Sequence, residues 1–206
     1  MSDDWPMIQT EREACAELFE SLNAQQWTAA SWCGAWNVRE VAGHLIAATL
    51  QTPAGFFGRL AKAGFSFNKM VAIDAHRCSA GDPSSMVAAM ASGSLRRTHP
   101  PGPLTAMLGE AVVHGEDIRR PLGMNRAFPE KTLVTVADFY KGSNLLIGTK
   151  RRIAGLSLKA TDAAWSTGDG PEVSGPMASL LLAMTGRRQA LADLSGEGVA
   201  ALKSRP

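Results

Sequence analysis

The chain has little of what a disulfide framework, a thiolate metal cluster or a membrane span requires. Its 206 residues include three cysteines, Cys15, Cys33 and Cys78, and no Cys-x-x-Cys pair. An odd, scattered set argues against paired disulfides and against a four-thiolate zinc site. Free thiols suit a reducing cytoplasm, which is the expected compartment. No apolar run approaches the roughly 18 residues of a transmembrane helix. The start, Met1-Ser2-Asp3-Asp4-Trp5, is acidic and lacks the apolar core of a signal peptide. Charge of one sign is scarce too: with a formal net charge of +2 and 19 % charged residues, nothing draws the chain electrostatically to nucleic acid. Neither a nucleic-acid nor a membrane partner is expected. The length suits one domain, or a domain with a small appendage, and suffices to bury a sizeable core. Internal repeats and low-complexity tracts are absent.

What is present is a polar stripe inside an apolar segment. In Gly109-Glu110-Ala111-Val112-Val113-His114-Gly115-Glu116-Asp117 a carboxylate and an imidazole stand four residues apart, and a second carboxylate follows three later. On a helix, positions 110, 114 and 117 share a face. Leu104, Met107, Leu108, Val112, Val113 and Ile118 surround them, and charged groups seldom enter such surroundings unless paired or metal-bound. Far upstream, Trp36-Asn37-Val38-Arg39-Glu40-Val41 reads as a helix start: Asn37 as N-cap, Glu40 completing a capping box, Trp36 stapled on Val41. His44 then lies two turns in, between Val41, Leu45 and Ala48, and faces inward. His44, Glu110 and His114 would make a three-ligand zinc set with one position open. The spacing alone leaves the plainer alternatives standing: a core histidine bonded to a carbonyl, and a surface Glu–His pair.

The periodicity predicts a helix over about 6–22, a second from Val38 to about Gln51, and one or two more between Phe56 and Ala80, broken around Gly64. Asp82-Pro83 starts another, with Pro83 at its first position. Residues 98–103, Pro- and Gly-rich, form a loop that feeds the Glu110 helix, which Pro121 ends. A further helical region runs from about Pro129 to Arg152, perturbed near Gly142. After Gly155 the period changes. Leu156, Leu158 and Ala160 alternate with polar residues, as a strand does; Trp165 sits in a second candidate strand. Pro176 to about Met184 reads as a helix with Gly186 at its C-cap.

The wording around these residues is similar to one family. Cys33-Gly34-Ala35-Trp36-Asn37-Val38-Arg39-Glu40-Val41-Ala42-Gly43-His44-Leu45 resembles a Cys-Pro-Gly-Trp-like turn running into a histidine-bearing helix, with Gly34-Ala35 in place of the usual Pro-Gly. Glu110 through Gly123 resembles a Glu-x-x-x-His-Gly-x-Asp-Ile-Arg-x-Pro-Leu-Gly motif. Gly170-Pro171-Glu172-Val173-Ser174-Gly175-Pro176, followed by a helix ending at Thr185-Gly186-Arg187, resembles a third segment. All three are features of the mycothiol-dependent maleylpyruvate isomerase family, part of the DinB-like group of metal-binding four-helix bundles.

The resemblance implies a mainly α fold: a DinB-like four-helix bundle over 1–150 and a small, shortened, sterol-carrier-like α/β domain over 153–206. It implies zinc, or another divalent metal such as nickel, on His44, Glu110 and His114. It also implies mycothiol or a similar thiol at the open position, and an isomerase or S-transferase acting on a small electrophile that carries a carboxylate. Arg187 becomes a candidate to hold that carboxylate; its other reading is a C-terminal helix cap. Asp117 either orients His114 from behind or pairs with Arg120. A metal-dependent hydrolase, with Asp117 or Glu116 as base, and a non-catalytic metal-binding bundle remain as alternatives. A homodimer is a candidate assembly. Arg119 and Arg120 are expected in surface or interdomain ion pairs, His76 and His99 in solvent. Trp32, Trp36 and Trp165 are expected to pack, and Cys33, close to the entry of the His44 helix, to be a buried structural thiol rather than a nucleophile.

Overall fold

The computed structural model describes residues 4–145 and 147–205; the acidic start Met1–Asp3 lies outside them. The chain divides into two compact units, Met1–Arg126 and Ala127–Pro206.

The first unit is helical: α1 Trp5–Ser21, α2 Ala24–Trp27, α3 Val38–Thr49, α4 Pro53–Lys62, α5 Phe67–Ser79, α6 Pro83–Ser94 and α7 Thr105–Arg119. The local chemistry sets where they begin. Asn37 and Glu40 make the expected reciprocal capping box, and Asp82 caps α6 ahead of Pro83. Gly64 and Phe65, both with positive φ, separate α4 from α5. Four helices close a ring: α1 packs on α6, α6 on α3, α3 on α7 and α7 on α1. Phe19, Trp27, Val41, Leu45, Met86, Met90 and Ile118 fill it. α5 lies against α3, where Gly43 permits contact: a Cβ there would stand 2.4 Å from the Ala75 carbonyl oxygen. A short 3-10 turn, Arg120–Leu122, contains Pro121 and ends α7 as expected.

Arg119 corrects an expectation. It is buried, donating to the Ala14 carbonyl at 3.0 Å beside Glu116, while Arg120 pairs with Glu116 at 2.8 Å. Arg126 reaches buried Glu11 with two hydrogen bonds of 3.0 and 3.1 Å. These charges enter the core in pairs, which offsets part of their desolvation.

The second unit holds α8 Glu130–Lys141, α9 Thr149–Arg152, β1 Ser157–Ala160, β2 Ser166–Thr167, β3 Glu172–Gly175, α10 Met177–Met184, a 3-10 run Arg188–Asp193 and α11 Val199–Lys203. The strands form a small sheet in the order β2-β1-β3. β2 runs antiparallel to β1 (Leu158 opposite Thr167) and β3 parallel to it (Leu158 opposite Val173). β3 is an addition to the sequence reading, which treated that stretch as a lead into α10. Trp165 is buried just before β2, and its indole donates to Asp138 at 3.0 Å. α10 is almost wholly buried and packs on β1, β3 and α8. The division therefore falls at 126/127 rather than near 150. α8 buries Leu133, Val136, Ala137 and Tyr140, and the partner that takes up that face is α10.

Candidate metal centre

His44 reaches the site because the Asn37 box fixes where α3 begins, and Glu110 and His114 reach it because they stand one turn apart on α7. The packing of α3 on α7 brings them together. His44 Nε2 lies 2.7 Å from Glu110 Oε2, and His114 Nε2 lies 3.5 Å from the same oxygen. The two imidazoles meet edge to face, centroids 4.7 Å apart. All three ligand atoms fall within 4.8 Å of one another. The three side chains are 14 %, 24 % and 14 % exposed, so the cluster is sheltered yet reachable.

Asp117 stands behind His114. Its carboxylate is fully buried and lies 2.8 Å from His114 Nδ1. Only an Nδ1–H can satisfy that contact, which leaves the Nε2 lone pair on neutral His114 facing the Glu110 oxygen. A lone pair and a carboxylate oxygen facing each other across 3.5 Å are repulsive unless a cation or a proton stands between them. Two imidazole nitrogens and one carboxylate oxygen suit zinc, and a carboxylate behind a ligating histidine is the usual companion of such a site. The residues present therefore fit a divalent metal. Asp117 thus faces His114, as the first of its two sequence readings requires, and Arg120 pairs with Glu116 at 2.8 Å.

The loop between α2 and α3 walls this region. Trp32 N–H donates to the Asp117 carbonyl oxygen at 2.9 Å, and the Trp36 ring lies 5.5 Å from the His44 ring. Cys33, expected as a buried structural thiol close to the start of the His44 helix, also borders the site. Half-buried, it forms with His114 and Asp117 a second group whose ligand atoms lie within 4.8 Å of one another. No spacing rule flags it, because it sits in an irregular turn. Cys15 is different in kind: burial pushes its thiol up to about 11, and its sulfur lies 3.7 Å from the Ala111 carbonyl oxygen.

Arg187 belongs to the second unit. There Gly186, with φ of 95°, turns the chain at the end of α10. Arg187 N–H bonds the Leu182 carbonyl and Gly186 N–H that of Ala183, closing a Schellman motif. The Arg187 guanidinium donates to the Thr185 carbonyl at 3.0 Å. His99 is half-buried beside Trp5, with ring centroids 6.0 Å apart, and His76 is exposed.

Residues 8–98 match the family described as the mycothiol maleylpyruvate isomerase N-terminal domain. The matched segment carries His44. Two solved structures share the fold. One is the mycothiol-dependent maleylpyruvate isomerase, at 14 % identity and a TM-score of 0.66, covering 95 % of this chain and 92 % of that one. The other is a histidine-to-alanine mutant of that enzyme, at 13 % identity with the same TM-score and coverage. No curated protein sequence matches the chain. Among the described residues no helix is long and apolar enough to cross a membrane.

Proposed function

Residues 8–98 belong to the mycothiol maleylpyruvate isomerase N-terminal domain family, and from that premise we propose that the chain is a zinc-dependent, thiol-dependent isomerase or S-transferase. The substrate is a small electrophile bearing a carboxylate, and the thiol is mycothiol or a close relative. The reducing cytoplasm is the proposed location, in keeping with three free cysteines.

The observation that carries the proposal is the convergence of His44, Glu110 and His114, with buried Asp117 behind His114. His44, Glu110 and His114 would hold the metal; Asp117 fixes the tautomer and ring plane of His114. Metal and thiol together supply a thiolate near neutral pH, able to add to an electrophilic carbon. The chain's own residues prepare for that chemistry. Two neutral imidazoles and one carboxylate would leave a bound divalent ion with net positive charge, which would favour an anionic thiolate over a neutral thiol. Trp36 sets an apolar ring beside His44, centroids 5.5 Å apart. Arg187 is proposed as the group that holds the substrate carboxylate, a task suited to a planar two-pronged guanidinium.

A hydrolase would need a carboxylate base beside the metal. Both candidates are engaged: Glu116 with Arg120 at 2.8 Å, and Asp117 with His114 at 2.8 Å. The thiol reading is favoured for that reason. The test is turnover of maleylpyruvate and of a thiol-reactive dye on the zinc-loaded protein, with and without mycothiol, and on His44→Ala. Thiol-dependent turnover that disappears in His44→Ala supports the proposal. Turnover that ignores the thiol, or survives loss of the metal, ends it.

A further inference from the structure

The α4–α5 hairpin carries apolar surface that the bundle does not use. α4 packs on α5 yet buries none of its residues. Phe56 meets Phe57 edge to face, with centroids 5.6 Å apart, and lies tilted against Phe67 at 6.4 Å. Phe57, Phe65, Phe67 and Ile73 are exposed, Phe65 at 79 %. Exposed apolar groups gathered in one hairpin mark interaction surfaces. Phe65 adds a second observation. Its φ of 60° makes it the one non-glycine residue with positive φ among the described residues. That backbone is unfavourable for a bulky side chain, and here it holds an aromatic ring out into solvent at the tip of the hairpin.

The charge around the patch identifies the occupant. Between residues 50 and 81 the basic residues are Arg59, Lys62, Lys69 and Arg77, and the sole acidic one is Asp74. Asp74 is buried and held by Arg59 at 3.0 Å and Arg77 at 3.1 Å. Lys62 and Lys69 are exposed in the same hairpin. A second copy of the chain would bring like charge against like. A short amphipathic helix with Lys and Arg on one side, Phe and Leu on the other, and a protruding aromatic tip suits an anionic lipid surface, where rings enter the headgroup boundary and lysines meet phosphates.

We propose that the α4–α5 hairpin docks the protein reversibly on anionic lipid bilayers, with Phe57, Phe65 and Phe67 inserted at the interface and Lys62 and Lys69 paired with headgroups. This peripheral contact departs from the expectation of no membrane partner, needs no membrane-spanning helix, and is independent of the proposed catalysis.

The experiment is co-sedimentation of the full chain with phosphatidylglycerol vesicles and with phosphatidylcholine vesicles, at low and high salt. Binding should appear on phosphatidylglycerol, weaken with salt and be at least tenfold weaker on phosphatidylcholine. Phe65→Ser should lower partitioning about tenfold. Lys62→Gln with Lys69→Gln should lower it about 25-fold, roughly fivefold per charge. These positions are exposed, so both variants should keep the parent far-UV spectrum. The proposal is overturned by absence of binding to phosphatidylglycerol, or by equal binding to both lipids. It is equally overturned by binding that Phe65→Ser leaves unchanged. A dimer in light scattering that Phe65→Ser dissolves would assign the patch to a second copy and overturn it as well.

Discussion

Replacing Asp117 probes the site without touching a proposed ligand. In the parent, a fully buried carboxylate sits 2.8 Å from His114 Nδ1, so it fixes both the tautomer and the plane of the ring. Asn at this position keeps the size but lacks the negative charge. Its amide can also present the NH2 to the ring, which would favour the tautomer that turns a proton toward the metal. Loss of such a partner behind a ligating histidine typically costs 10- to 100-fold in metal affinity, or about 1.4–2.7 kcal/mol. Asp117→Asn should therefore weaken zinc by that factor, read in competition with a chromophoric chelator. The zinc-dependent rise in Tm should shrink in parallel, because ligand stabilisation follows the ratio of concentration to Kd. Zinc affinity in Asp117→Asn within twofold of the parent would refute the orienting role, and with it the tautomer argument.

Three further outcomes follow from the bundle. Asn37→Ala removes the side chain that accepts from Glu40 N–H; it should cost about 1 kcal/mol in urea denaturation and weaken zinc by loosening the start of the His44 helix. Gly43→Ala places a methyl 2.4 Å from the Ala75 carbonyl oxygen; α3 and α5 must part, and the loss of about 1–3 kcal/mol should show as a lower Tm. Burial raises the Cys15 thiol from 9.0 to about 11, so the folded state favours the neutral thiol. That contribution is complete below pH 9 and is lost as pH rises through 11. Stability from denaturation should accordingly fall between pH 9 and 11 by about 3 kcal/mol more in the parent than in Cys15→Ala. Equal slopes in the two proteins would contradict the assignment.

The parts of this molecule that local chemistry decides were legible in the sequence. Asn37 and Glu40 announce the start of α3, and Glu110, His114 and Asp117 declare a shared helix face by spacing alone. That His44 meets that face depends on how α3 packs against α7, which no local pattern encodes; the family wording supplied it. β3 escaped notice because Glu172–Gly175 is four residues flanked by turn formers, and its neighbour β1 is a parallel strand held by long-range pairing. The boundary moved for a related reason. The amphipathic pattern of α8 says that one face is buried, not that α10 is the partner. The charged type of Arg119 suggests a surface or interdomain ion pair, whereas Glu116 and the Ala14 carbonyl make its burial tolerable. Cys33 lies in an irregular turn, and only the folded chain brings it beside His114 and Asp117.

The central claim is a metal held by two histidines and one carboxylate. X-ray absorption at the zinc edge on the zinc-loaded protein tests it most directly. The account predicts one zinc per chain, imidazole scattering from two histidines, and only nitrogen or oxygen neighbours at about 2.0–2.2 Å from the protein, with binding lost in His44→Ala. Sulfur at about 2.3 Å in the absence of added thiol, or zinc that still binds tightly in His44→Ala, would contradict it.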